Sequence, residues 1–254
     1  MDIFKSIGKA WAYAFSIGRM LPFLYVYTGF IVGLGLLAII GFGTYEGVLM
    51  RGEPLNTLAG TALWVIPLLV LLLIALGVGG LWATAKVALG SQGRKRESAT
   101  KPLPRMIAVW LVTLVVSIVV AGISSLFPMR SLVNFLLTLL TASALLFALY
   151  YVILRKKEAV KAIGASLDLF SKKPFEVLLA YVAGGLVAIL AIVTSAIPLV
   201  IAAIGISGAA GGYLMWVALV IGALLVFLVG ISFVGTFSAA FFANVLAELD
   251  KRRY

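Results

Sequence analysis

Cysteine and histidine are both absent from this chain of 254 residues. Their absence excludes disulfide bonds, thiol catalysis, haem ligation through either residue and most zinc sites. Charge is also scarce, since only 11% of the residues are Asp, Glu, Lys or Arg, whereas 63% are hydrophobic. A soluble domain of this size does not bury so much apolar surface, but a lipid bilayer accepts it directly. The composition therefore indicates an integral membrane protein.

Six apolar stretches are each long enough to cross a membrane, whose hydrocarbon core takes roughly 20 helical residues. Backbone amides in lipid must bond within their own segment, so continuous apolar runs predict helices, and the lack of an alternating pattern excludes a transmembrane barrel. The predicted fold is all-α, a polytopic membrane protein in which residues 1–254 form a single transmembrane domain. The six predicted spans are Pro22–Phe42, Leu58–Ala85, Pro104–Phe127, Ser131–Leu154, Pro174–Ile204 and Gly212–Leu246.

Basic residues are distributed unevenly between the segments that connect these spans. All lysines and arginines except Arg51 and Arg130 fall on one side when the spans are threaded in order. Cytoplasmic segments of membrane proteins carry such an excess of Lys and Arg. We therefore predict a protein of the cell membrane with both termini in the cytoplasm. The formal net charge of +11 is explained by this topology, and no nucleic-acid partner is expected.

Two short segments, ahead of spans one and five, have the spacing of amphipathic helices. Each carries an apolar stripe on one helical face, with lysines beside it. We expect helices at about 2–19 and 156–172 that lie in the cytoplasmic interface, with the stripes among acyl chains and the lysines among anionic headgroups. The stripes consist of Phe4, Ile7, Trp11, Ala14 and Phe15 in the first segment and of Val160, Ile163, Leu167 and Phe170 in the second.

The two segments end in related phrases, "AFSIGRMLPF" and "LFSKKPF". Proline is tolerated in the first turn of a helix, so Pro22 and Pro174 are each expected to begin a spanning helix. The similarity also suggests a parallel duplication, with units 2–89 and 156–246 and the helices 104–127 and 131–154 between them. The alternative is that any interfacial helix followed by a spanning helix gives this pattern.

The lead segment "KAIGASLDLFSKKPFEVLLAY", the six predicted spans and the closing "FSAAFFANVLAELDK" resemble uncharacterised archaeal six-helix membrane proteins. That family is related to the membrane domain of glycerophosphodiester phosphodiesterases. The resemblance spans most of the chain and implies a fold and a membrane location, not an activity. The barrel that carries the chemistry in the two-part enzymes has no counterpart in this sequence.

No ionisable residue lies near the middle of any predicted span, and no hydrolase elbow, phosphate loop or paired carboxylate motif is present. We therefore predict no catalytic, cofactor-binding or metal site and expect that the protein is not an enzyme. Small residues instead recur at four-residue spacing, which lets helices pack closely in lipid. Because such ladders occur on at least four spans, homo-oligomerisation is also expected. The ladders are Ala75, Gly79 and Ala83; Thr113, Ser117, Ala121 and Ser125; Ala180, Gly184 and Ala188; and Gly235, Ala239, Ala243 and Ala247.

Basic residues of the amphipathic segments and of the polar stretch Gly90–Lys101 are the candidate contacts to anionic lipid. For Gly90–Lys101 itself we expect a solvated cytoplasmic loop, and the binding of anionic headgroups is the alternative. The candidates are Lys5, Lys9, Arg94, Lys95, Arg96, Lys156, Lys157, Lys172 and Lys173.

These features favour a non-catalytic multi-pass membrane protein that organises membrane lipids or a membrane partner. The alternative function is a channel or carrier for a small or hydrophobic solute. Abundant glycine, prolines within spans two and five, and the suggested duplication are its support. Against it, a carrier of ions or polar solutes needs charged or clustered amide side chains at mid-membrane depth, and the spans have none.

Overall fold

A computed structural model of the chain describes residues 2–51, 56–127, 129–206 and 213–251. These residues form helices and no strand, which confirms the predicted all-α class. The helices are α1 (Ile3–Ala14), α2 (Ile17–Arg51), α3 (Asn56–Ser91), α4 (Leu103–Ser124), α5 (Arg130–Leu145), α6 (Ala148–Arg155), α7 (Ala159–Lys172), α8 (Pro174–Ile206) and α9 (Tyr213–Lys251).

Six helical stretches in these ranges are long and apolar enough to cross a membrane. They agree with the six predicted spans, so the protein is a multi-pass membrane protein. The fourth stretch is made of α5 and α6 together. The stretches are Ile17–Glu46, Gly60–Ser91, Leu103–Ser124, Arg130–Arg155, Pro174–Ala202 and Val217–Asp250. Gly212, Arg252 and Arg253, which entered the predictions of the sixth span and of topology, lie outside the described residues.

The first spanning helix begins earlier than predicted. It starts at Ile17, and Pro22 lies inside it, so the prediction that Pro22 begins the helix is wrong. The carbonyl of Ser16 accepts hydrogen bonds from the backbone N–H groups of Arg19 and Met20 at 2.8 and 3.2 Å, which starts the helix before the proline. Pro174 is the first residue of α8, as predicted.

The fourth span is interrupted, where one continuous helix was predicted. α5 ends at Leu145 and α6 begins at Ala148. The interruption leaves backbone carbonyls without helical partners, and the hydroxyl of Ser166 in α7 donates to one of them, the Ala144 carbonyl, at 2.7 Å. Ser166 and Ala162 are both buried, so α7 packs against the broken span through small side chains.

The charged segments gather at one end of the helix bundle. We call this the basic end and define it as residues 2–19, 86–105, 155–173 and 244–251. Hydrogen bonds join its segments to one another, for example from Asp2 to Glu248, from Gln92 to Asn244 and from Arg155 to Asp250. α9 has 39 residues and is therefore about 58 Å long, well beyond the roughly 30 Å of a hydrocarbon core.

Close packing is also concentrated at and near the basic end. The largest of the fully buried side chains are Tyr151, Phe147, Phe237, Phe241 and Met106. Toward the opposite end the helices pair as hairpins, α2 with α3, α4 with α5, and α8 with α9. Large apolar side chains remain exposed along these hairpins, where a bilayer would cover them.

Three of the four small-residue ladders pack as predicted. In α9, Ala239 and Ala243 are buried, and in α3 so is Ala83. In α8, Ala180 is buried, and a Cβ on Gly184 would lie 2.7 Å from the Phe242 ring of α9. The ladder of the third span differs, because its last three members, Ser117, Ala121 and the C-cap residue Ser125, are exposed.

α1 lies antiparallel along the last turns of α9. Its first residues contact Glu248, and the Trp11 ring lies 5.1 Å from Phe233 between centroids. The face buried in this contact is formed by Ser6, Ala10 and Ala14, of which only Ala14 belongs to the predicted stripe. Phe4 and Phe15 remain 86% and 64% exposed. The small residues of α1 therefore hold the helix to α9, and contact of the exposed apolar side chains with lipid stays a prediction.

We predict that Ala10→Leu detaches α1. Ala10 is fully buried, and added methylene groups in a close contact cost about 1–3 kcal/mol. Faster hydrogen exchange of residues 3–14 would report the change. The control is Gly8→Ala, because a Cβ on Gly8 meets no neighbouring atom and alanine should slow the exchange of α1. Equal exchange in Ala10→Leu and in the unaltered protein would contradict the packing described for α1.

Candidate functional site

The connection between α3 and α4, which was expected to be a solvated loop, has exposed residues but also packs onto the bundle. Gln92 Nε2 donates to Asn244 Oδ1 of α9 at 2.7 Å. Ala99 is buried, and Gly93 takes a positive φ of 76°, which glycine adopts without strain. The connection therefore has a defined shape and can form one wall of a site.

Two arginines attach this region to the C-terminal end of α6. The last carbonyls of a helix have no partner within the helix and carry partial negative charge. Arg94 donates to the carbonyl of Leu154 at 2.6 Å, and Arg105 donates to the carbonyl of Lys156 at 3.0 Å. Lys156 itself has a positive φ of 56° and ends the helix. The contacts fix α6 against the connection and the first turn of α4.

Glu97 lies between two of these cations. Its carboxylate accepts from the Arg94 guanidinium at 2.8 Å and lies 3.2 Å from the Lys156 ammonium. The hydrogen bond from Arg94, with a smaller contribution from Lys156, holds the pKa of the Glu97 carboxyl below its ordinary value. Glu97 therefore stays ionised throughout the neutral and weakly acidic range.

A cleft of about 560 Å³ opens beside Glu97, between the connection, α4 and α6. We call it the basic cleft. Four cationic side chains and one carboxylate line it, so positive charge is in excess. Its floor is apolar, and the N-terminal turn of α4, whose dipole is positive at that end, forms part of its rim. The lining residues are Leu89, Arg96, Glu97, Ser98, Lys101, Pro102, Arg105, Val152, Ile153 and Lys156.

Only Arg96 and Lys156 of the nine predicted lipid contacts line the basic cleft. Lys101 and Arg105 also line it but were not among those candidates. They are the first and last residues of "KPLPR", where a proline-rich start of α4 follows the basic connection. That juxtaposition of cations with a helix N-terminus was the available signal.

Several other candidates are engaged in contacts within the protein. Lys172 pairs with Asp168 at 2.8 Å, and Lys173 donates to the Leu249 carbonyl at 3.2 Å. The Lys157 ammonium lies 4.7 Å from the centre of the Tyr151 ring. Arg94 is occupied by Glu97 and by α6. By contrast, Lys5, Lys9 and Lys95 are exposed at the surface of the basic end.

Two carboxylates of α9 bind α6 and the start of α1 to the basic end. Asp250 is buried and accepts from Arg155 at 3.0 Å and from the Tyr151 hydroxyl at 3.3 Å. Glu248 accepts from the backbone N–H of Asp2 and from the hydroxyl of Ser6, both at 3.1 Å. It therefore places a negative charge at the N-terminus of α1, which the helix dipole favours.

A second cleft, of about 540 Å³, lies between α8 and α9. We call it the apolar groove. Trp11 of α1 and Phe15, which directly follows that helix, line one end of the groove. Gly230 also lines it, and the missing side chain there allows α9 to approach Ser195 of α8. The lining residues are Trp11, Phe15, Met20, Val187, Leu190, Ala191, Thr194, Ser195, Val226, Val229, Gly230 and Phe233.

Hydroxyl groups in and near the apolar groove donate hydrogen bonds to backbone carbonyls of their own helices. Thr194 donates to the Leu190 carbonyl at 2.8 Å, and Ser195 donates to that of Ile192 at 2.9 Å. In α9, buried Ser232 and Thr236 do the same. Because such bonds satisfy the hydroxyl hydrogen within one helix, these groups leave the groove an apolar surface.

Within the described ranges, no group of three or more acidic side chains is placed to hold a metal ion. No family model matches the chain, and neither a curated protein nor a solved structure matches it.

We predict that acid loosens the connection between α3 and α4. Since the pKa of Glu97 is lowered in the folded protein, its stabilising contribution is complete above the ordinary glutamate pKa of about 4.3 and is lost as the pH falls through the lowered value. Protection factors from hydrogen exchange of 92–102 should fall in that range. Glu97→Gln should show low protection without the acid step. An acid step of the same size in that variant would contradict the assignment to Glu97.

Proposed function

We propose that this protein is a non-catalytic multi-pass membrane protein that organises lipid at its surface. The observation that carries the proposal is the apolar groove. It lies on two spanning helices, α8 and α9, and is closed at one end by the exposed aromatic edge of α1. A groove in this position, with an apolar surface and a volume of about 540 Å³, suits an acyl chain.

The basic end supports the same proposal. Exposed Lys5 and Lys9 lie on α1 itself, beside the exposed ring of Phe4. A helix that presents cations and large apolar side chains together attracts anionic headgroups and inserts its apolar edge among acyl chains. We propose accordingly that the basic end faces the cytoplasm, that the membrane is the cell membrane, and that both termini lie on that side.

We also propose two further properties that the sequence suggests. One is kinship with the archaeal six-helix family related to the membrane domain of glycerophosphodiester phosphodiesterases. The other is homo-oligomerisation, for which the exposed small residues Ser117 and Ala121 of α4, with Ser125 just after it, offer a face that permits close helix approach. The duplication of units 2–89 and 156–246 also stays a prediction.

A carrier of a hydrophobic solute is the second candidate, because the apolar groove would accept such a solute as readily as an acyl chain. Pro67 and Pro198 lie inside α3 and α8 as predicted and offer bends for movement. A carrier of polar solutes has less support. Buried hydroxyls such as those of Ser195, Ser232 and Thr236 bond to their own helices rather than forming a polar route.

We predict that Ala191→Phe reduces lipid retention, since the phenyl group would occupy the groove. Displacing two acyl methylene groups costs about 1.6 kcal/mol, or about tenfold in affinity. Native mass spectrometry of the protein purified in mild detergent would measure phospholipid occupancy. Leu186→Phe is the matched control, because Leu186 is exposed on the same helix outside the groove. Equal occupancy in both variants would contradict the groove as an acyl-chain site, and protein-dependent solute flux in liposomes would favour the carrier.

A further inference from the structure

The basic cleft contains cationic groups that the fold does not use. Arg105 and Lys156 are committed, the first to a helix carbonyl and the second to Glu97. Arg96 and Lys101 line the same cleft and, within the described part of the chain, have no hydrogen bond or ion pair. Two exposed cations beside two anchored ones leave positive charge that an external anion would neutralise.

The surroundings of the cleft strengthen this attraction. Leu89, Val152 and Ile153 form an apolar wall and bury their side chains in the protein core. A wall of low polarity reduces solvent screening and concentrates the field of the charges above it. Because Arg105 also belongs to the first turn of α4, the positive end of that helix dipole faces the same space.

The chemistry of the lining selects the kind of anion. A phosphate group presents several acceptor oxygens, which match the planar fork of a guanidinium and the rotatable donors of an ammonium. A cleft of about 560 Å³ holds a phosphate together with the small polar group attached to it. We propose that the basic cleft binds a phosphate-bearing anion through Arg96, Lys101, Arg105 and Lys156.

One source of the phosphate is the headgroup of an anionic phospholipid, and in that case the inference rests on the proposed function in lipid organisation. A free phosphate or a soluble phosphate ester has the same recognition chemistry and is the other source. Glu97 opposes either one, because its carboxylate repels the anion and holds the ammonium of Lys156. Glu97 also anchors the connection that carries Arg96 and Lys101, so it both opposes the anion and shapes the cleft that would bind it.

The test measures binding by calorimetry on the full chain in nonionic detergent at low salt. The probes are inorganic phosphate and a short-chain, water-soluble phosphatidylglycerol. Arg96→Gln and Lys101→Gln should each weaken binding about tenfold, as expected for one charge-assisted hydrogen bond. Lys101→Arg should keep it within about threefold of the unaltered protein.

Lys95→Gln is the matched control, because Lys95 is an exposed lysine of the same connection that does not line the cleft. Its binding should change less than about twofold. Binding of phosphatidylglycerol alone assigns the cleft to a lipid headgroup, and binding of inorganic phosphate assigns it to a soluble anion. Failure of both probes to bind, or equal losses in Lys95→Gln and Lys101→Gln, would overturn the proposal.

Two measurements separate this inference from the proposed function. Thermal unfolding should be unchanged in Lys101→Gln, since its side chain makes no described contact, so any loss of binding is local. Lipid retention in the apolar groove is reported by Ala191→Phe, whose substitution does not touch the basic cleft. If Ala191→Phe has no effect while Lys101→Gln weakens binding, the groove proposal fails and the phosphate site stands.

Discussion

The contact of Asp250 with Arg155 and Tyr151 joins the last turn of α9 to the end of α6. The rest of the basic end is assembled around these two elements. α6 receives Arg94 and Arg105 from the connection and from α4, and α9 receives α1 through Glu248. If α6 were released from α9, the wall of the basic cleft and the support of the connection would both be lost. The buried carboxylate of Asp250 thus holds Arg155 and, with it, the end of α6 to which Arg94 and Arg105 donate.

On α1 and α7, small side chains face the neighbouring helices, and some of the large side chains face outward, where lipid would contact them. Small residues of α1 and α7, such as Ala10 and Ala162, are buried against neighbouring helices. Large residues on the same helices, such as Phe4 and Val160, are left exposed. Because lipid tails are as apolar as these side chains, packing and not hydrophobicity decides which face binds the protein. The exposed faces are then available for the lipid contacts proposed here.

The spans were predictable from sequence because the length of an apolar run is a local property. The interruption of the fourth span was not, since it is stabilised by Ser166, which lies 22 residues from the carbonyl it satisfies. The early start of α2 depends on the Ser16 carbonyl, which no hydrophobic pattern records. At the candidate site, charge alone identified Arg96 and Lys156. Lys101 and Arg105 join them only because helix α6 ends against the first turn of α4.

Thermal unfolding of Asp250→Asn in detergent tests most directly whether the basic end organises the molecule. Asparagine keeps the shape of the side chain but removes the charge that Arg155 requires, so we expect a loss of about 1–3 kcal/mol. Glu158→Gln breaks only the exposed pair with Lys161 and should cost less than about 1 kcal/mol. A markedly lower unfolding temperature for Asp250→Asn than for Glu158→Gln is the predicted result. Equal unfolding temperatures would contradict the account.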